Sequence, residues 1–167
     1  KMEDCSWLYW CKYHLNLPEK TNDGALKGSV CHVILEVLLK KKHKKHLEAI
    51  NKLLDIEASE PVKRLIIKHL NIYDINTPEI YDEVCKLILV ALQYDFLGEG
   101  GKNLDPEYKF EINNEDPEYN VLGFIDKATV YKKENKILIT DYKTSKAKFA
   151  GEDLKSNLQA MIYSLAS

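Results

Sequence analysis

The spacing of apolar positions changes partway along the chain, and the change separates helices from strands. From residue 28 to residue 97 apolar side chains recur at helical intervals. Val30, Ile34, Leu35, Leu38 and Leu39 form one stripe, which starts near Gly28 and runs into the basic stretch KKKHKKH. Residues 47 to 56 and 61 to 70 predict two shorter helices, the second with Pro61 in the first turn, where its missing N–H is tolerated. Ile80, Val84, Leu87, Ile88 and Ala91 predict a longer helix over residues 78 to 96, which GEGG stops. The period then becomes two, as Tyr108, Phe110 and Ile112 alternate with polar residues. Residues 121 to 131 and 136 to 141 predict two more strands, joined at KKEN as a hairpin. Leu154, Leu158, Met161, Ile162 and Leu165 predict a closing helix from about Glu152. Helices, then three antiparallel strands, then a helix give one α+β or mixed α/β domain.

Composition narrows the picture little. A length of 167 residues with 45% apolar content suits a single domain with a sizeable core. The formal net charge is −2, so nucleic acid is not held by bulk basicity, and any such binding needs a local patch. No apolar run reaches the ~20 residues of a membrane span. The opening KMEDCSWLYW has no signal-peptide pattern. Cys5, Cys11, Cys31 and Cys85 form no CxxC pair, which argues against a zinc ribbon. Cys31 and Cys85 read as buried free thiols, and this usage fits a reducing cytoplasm.

Chemistry concentrates where charges interrupt apolar elements. Asp126 breaks VLGFIDKATVY, and the hairpin brings Asp141 of ILITDYKTS to the same level. Neighbouring strands lie ~5 Å apart, close enough for two carboxylates to share a divalent ion. Such acids repel unless a cation or proton lies between them. Strand alternation puts Lys143 on the face of Asp141. An ammonium there can orient a water or offset charge on a phosphate. Taken singly, Asp126 reads equally as a bulge residue, and Asp141 with Lys143 as a surface salt bridge. Gln159 and Tyr163 share one face of the last helix within an apolar stripe, which marks either a specific partner or a solvent edge. His32 and Glu36 share a face of the Gly28 helix. A single histidine on an apolar face is ordinarily a core residue, and there is no HExxH.

In their order, GSVCH, PEYKF, GFID, DYKTS and NLQAMIY resemble the RecB-like branch of the PD-(D/E)XK nucleases, which includes CRISPR-associated adaptation nucleases. In that branch a helix carries Gly-x-x-x-His and a strand carries a Glu followed by aromatics. Later strands carry Gly-x-x-Asp and Asp-Tyr-Lys-Thr, and a helix carries Gln-x-x-x-Tyr. The opening EDCSWLYWCKY is similar to the N-terminal segment of the branch. The resemblance implies a restriction-endonuclease-like α/β core over residues 1–167, with a central mixed sheet flanked by helices. A helical insertion, residues 43–97, precedes the sheet. The resemblance further implies that His32, Asp126, Asp141 and the backbone carbonyl of Tyr142 hold Mg²⁺ or Mn²⁺, and that Lys143 activates the attacking water. Gln159 and Tyr163 would orient the catalytic strand and touch DNA, with Lys146 and Lys148 placed for phosphate. Glu107 matches the strand acid of the branch and is expected to support rather than ligate.

The implied activity is metal-dependent hydrolysis of DNA phosphodiesters, as a single-strand-preferring exonuclease in repair, recombination or phage DNA processing. Two alternatives are a non-catalytic DNA-binding subunit, which would usually have lost the acid–acid–lysine set, and an RNA endonuclease on the same scaffold. An iron–sulfur cluster is not supported: Cys5 fits the first cluster position of some members, but no downstream cysteines follow. No GxxxxGK[ST] helicase signature is present. The family core continues beyond the Gln-x-x-x-Tyr helix, so both ends of a longer protein are expected outside residues 1–167. KKKHKKH either tracks a nucleic-acid backbone or is a solvated helix end favoured by the C-terminal dipole.

Overall fold

The computed structural model describes residues 6–17, 22–116, 120–144 and 158–166. Among these residues six helices and five strands follow one another as α1 (Ser6–Tyr13), α2 (Asp23–Leu39), α3 (Lys44–Leu53), α4 (Glu60–Ile72), α5 (Pro78–Leu92), β1 (Lys102–Asn103), β2 (Tyr108–Ile112), β3 (Val121–Ile125), β4 (Lys127–Tyr131), β5 (Lys136–Thr140) and α6 (Leu158–Ala166). Short 3-10 turns at Lys41–His43 and Ile56–Ala58 flank α3.

Helix α2 begins earlier than its apolar stripe. The Asn22 side chain accepts from the Ala25 amide at 2.8 Å and caps the helix, with Asp23 in the first turn where the dipole favours an acid. Val30, Cys31, Ile34, Leu35 and Leu38 are buried, and α2 packs against α3, α4 and α5. Each isoleucine or leucine buried in this way contributes about 2 kcal/mol. Thr77 caps α5, with Pro78 opening its first turn. The helix stops at Leu92, short of the expected Phe96, yet Phe96 still turns back into the same core. No helix among the described residues is long and apolar enough to cross a membrane.

The strands differ from expectation in one respect that matters. Residues 121 to 131 are not one strand: the chain leaves one sheet at Ile125 and enters another at Lys127. β2 pairs with β3, while β4 pairs with both β1 and β5, and every pairing among the described residues is antiparallel. Among the described residues the strands thus form two small antiparallel sheets that meet at Asp126. The cause is polar competition for the backbone. The Asp126 carbonyl still takes the Glu107 amide at 3.3 Å, the next rung of the β2–β3 register, but the Asp126 carboxylate takes the Tyr142 amide at 2.7 Å, so the β4–β5 ladder gives way there to a side-chain bond. A second, smaller core of Phe110, Ile125 and Ala128, with Ile139, Ile162 and Tyr163 against it, lies under these strands. The result is a mixed α/β protein of helices and small antiparallel sheets, consistent with a restriction-endonuclease-like fold.

The basic run is also placed differently. α2 ends at Leu39, and Lys44 and Lys45 open α3 instead of closing α2.

Candidate active site

Two glycines let the pieces approach. Gly28 lies one turn before His32 on α2, so both face the same way. A Cβ at Gly28 would sit 2.9 Å from Thr144 Oγ1, closer than side chains pack, so the glycine is what allows the chain leaving β5 to lie on the helix. On the other side, Phe110 pairs across the hairpin with Gly123, and a Cβ at Gly123 would fall onto the Phe110 ring. The ring covers the glycine and meets Tyr163 of α6 edge-on at 5.9 Å. The glycines of GSVCH and GFID are therefore the contact points between helix and strand and between strand and aromatic ring.

With Thr144 seated on Gly28, Tyr142 reaches His32. His32 Nε2 lies 2.8 Å from the Tyr142 carbonyl, and Nδ1 lies 3.4 Å from Asp126 Oδ1. The other Asp126 oxygen, Oδ2, accepts from the Tyr142 amide. The hydrogen bond to Asp126 raises the His32 pKa above its ordinary value; burial opposes the shift, and Asp141 adds to it. Tyr142 packs its ring against the helical core, and its hydroxyl is buried with no hydrogen-bond partner among the described residues.

Glu107 completes the group. It stands just before β2 with φ of 55°, a left-handed conformation uncommon for a side chain of its size. Burial raises its pKa, and the nearby Asp126 and Glu36 carboxylates raise it further. One ligand atom from each of His32, Glu107 and Asp126 lies within 4.8 Å of the others. An imidazole nitrogen and two mutually repelling carboxylates suit a divalent cation with hard oxygen preference. The left-handed backbone at Glu107 is local strain of the kind that persists at functional positions.

Asp141 stands apart from that trio. The β4–β5 register ends at Lys127 opposite Thr140, so Asp126 and Asp141 follow as the next positions, but Asp141 is not among the three converging ligand groups. Asp141 Oδ2 is 2.6 Å from Lys143 Nζ, as strand alternation predicts, and Oδ1 is 3.5 Å from the Tyr163 hydroxyl. That hydroxyl donates to the Phe124 carbonyl at 3.0 Å, which ties α6 to β3 beside the site. Lys143, His32, Tyr142, Thr144 and Lys27 line a cleft of about 510 Å³.

The structure thus gathers His32, Asp126 and the Tyr142 backbone, and adds Glu107 as a member of the converging set instead of a bystander. Gln159 falls on α6 one turn before Tyr163, while Lys146, Lys148 and Cys5 lie outside the described residues. Glu36, on the His32 face, pairs with Lys40 at 2.6 Å. Lys127 was not foreseen: it is buried beside Asp126, donates to the Asp95 carbonyl at 2.7 Å, and burial lowers its pKa. Its signal in the sequence is a lysine inside an otherwise apolar strand.

A family model of the PD-(D/E)XK nuclease superfamily matches residues 1–167, the whole chain. No curated protein and no solved structure matches it. The superfamily consists of nucleases, which generally use divalent metal ions and act on nucleic acid. Side chains that could ligate a metal, brought together on glycine-cleared contacts, agree with what the family match says on its own: the chain belongs to the PD-(D/E)XK nuclease superfamily.

Proposed function

We propose that this protein is a metal-dependent deoxyribonuclease that hydrolyses phosphodiester bonds of single-stranded DNA from its ends, with Mg²⁺ or Mn²⁺ as cofactor. The observation that carries the reading is the convergence of His32, Glu107 and Asp126 near the Asp141–Lys143 pair, with His32 and Lys143 both lining one cleft. His32, Glu107 and Asp126 would hold the ion, with the second lone pair of the Tyr142 carbonyl, the one not directed at His32 Nε2, as a further donor. Bound there, a divalent ion supplies Lewis-acid stabilisation of phosphate charge and a lowered pKa for water.

The chain's own groups do the rest. Lys143 keeps a positive charge at the cleft edge, where it orients the attacking water and offsets charge growing on the phosphate. Asp141 holds that ammonium in place. Tyr163, fixed to Phe124 and beside Asp141, sets the position of the pair relative to β3. Gln159, Lys146 and Lys148 are proposed contacts to the DNA backbone. Cys11, Cys31 and Cys85 are free, and burial pushes the Cys31 thiol up to about 12, so it takes no part in chemistry at neutral pH.

The deciding experiment is a cleavage time course on end-labelled single-stranded DNA with Mg²⁺, Mn²⁺ or EDTA, beside Lys143→Ala and Asp126→Ala and a matched RNA strand. Metal-dependent cleavage of DNA that drops about a hundredfold or more in either variant is expected. Cleavage that persists in EDTA, or undiminished in a folded Asp126→Ala protein, would sink the reading. The order in which labelled fragments appear separates attack from the ends from internal cutting.

A further inference from the structure

A second groove, of about 480 Å³, runs from the α2–α3 junction to the segment before β2. Lys40, Lys41 and Lys44 stand on one wall and Lys102 on the other, over an apolar floor that includes the buried Leu38 and Leu47. Residues 40 to 46 hold five lysines and no acid in a chain whose formal net charge is −2. Two of the lining lysines are partly neutralised, Lys40 by Glu36 and Lys44 by Glu48 at 3.4 Å. Lys41 and Lys102 are exposed and make no ion pair among the described residues.

The lysines also sit where intrahelical electrostatics opposes them. Lys44 and Lys45 occupy the first turn of α3, which has no acid and no side-chain cap, and the positive end of a helix dipole repels cations. The dipole of a helix C-terminus therefore accounts for Lys40 to Lys42, which follow α2, but not for Lys44 and Lys45. Ammonium groups on both walls of the groove form a place for an anion.

Position identifies the anion. Asp105 and Pro106 line the near end of the groove, and the next residue is Glu107 of the metal-ligating group. Glu36, paired with Lys40, is near enough to Glu107 to be felt by its carboxyl. The groove thus opens at the candidate active site, with one acid, Asp105, at that end. We propose that it holds the phosphate backbone of the DNA strand whose scissile bond lies at His32, Glu107 and Asp126, with Lys41 and Lys102 as opposed phosphate contacts. This rests on the nuclease reading above for the identity of the strand.

The test is binding of a fluorescein-labelled oligodeoxyadenylate by anisotropy, in EDTA, over a range of salt concentrations. The proteins are the wild type, the pair Lys41→Ala/Lys102→Ala, and the control pair Lys52→Ala/Lys68→Ala, whose lysines are exposed and do not line the groove. Single-strand binding loses about 0.7 in log–log salt slope per phosphate contact, so the groove pair should lose about 1.4 in slope and ~25-fold in affinity at about 0.1 M salt. The control pair should track the wild type. Equal slopes for the two pairs would overturn the proposal, as would loss of affinity with the slope unchanged. A matching oligoriboadenylate distinguishes the strands: groove-dependent binding of RNA alone would overturn the assignment to DNA. Because EDTA removes the chemistry, the predicted slopes in a protein that never cleaves with either metal would support the groove while refuting the nuclease.

Discussion

Gly28→Ala isolates the contact on which the site's geometry depends. In a helix interior alanine is favoured over glycine by about 1 kcal/mol, so by propensity alone the substitution stabilises. Here the new methyl would lie 2.9 Å from Thr144 Oγ1, and ordinary contact requires about half an ångström more. The segment carrying Thr144 has to retreat from α2, and two residues earlier in that segment the Tyr142 carbonyl lies 2.8 Å from His32 Nε2. A retreat of that size takes the bond past the ~3.2 Å limit of a good N–H···O contact. Propensity gain and lost contact nearly cancel, so Tm should shift by no more than about 2–4 °C in a chain of this length. Activity should fall further: a 1 Å misplacement costs ~100-fold, which makes about tenfold the expectation here. The assay pairs thermal melts with cleavage rates for Gly28→Ala and for Gly28→Ala/Thr144→Ala, in which the obstructing hydroxyl is gone. Full activity in the single variant, or no recovery in the double, would refute the reasoning.

Other outcomes follow from the same geometry. The raised pKa values of His32 and Glu107 mean that the metal-free fold favours their protonated forms, a contribution fully present below their ordinary 6.5 and 4.5 respectively and lost as pH rises through the folded values. Melts in EDTA should therefore show Tm falling as pH rises from the acid side, and Asp126→Asn should flatten the part due to His32; an unchanged profile would contradict the assignment. Divalent cation should restore stability most at the higher pH, by about 2.7 kcal/mol at a hundredfold excess over Kd, read as a Tm shift that EDTA reverses. Gly123→Ala should destabilise by about 1–3 kcal/mol in denaturant melts, because the Phe110 ring has nowhere to go without displacing Tyr163. Tyr142→Phe should leave stability unchanged or raise it by about 1 kcal/mol, since the buried hydroxyl has no partner among the described residues; a clear loss would show that it has one.

Local rules and long-range ones separated cleanly in what the chain disclosed. The Asp141–Lys143 pair and the shared face of Gly28 and His32 follow from strand and helix periods alone, and both are present. The sheet change at Asp126 was not legible, because it depends on an amide sixteen positions away that competes for the carboxylate. Nor was Glu107's place among the ligands, since a left-handed backbone at a glutamate has no compositional signal and follows from its seat at the mouth of the hairpin. The start of α2 was readable in principle from the cap at Asn22, but Gly24 and Gly28 interrupt the helical pattern there. The lysine run is shared between the end of α2 and the start of α3, and a charged stretch between two apolar stripes does not say which helix it belongs to.

The trio of His32, Glu107 and Asp126 draws its members from the helical core, from the turn entering β2 and from the joint between the two sheets. An ion held by all three would be a removable cross-link, closing loops in the chain as a disulfide does but released by a chelator rather than a reductant. The helical and sheet cores would then unfold as one unit with metal and with less cooperativity without it, so cofactor supply would govern the protein's lifetime as well as its turnover.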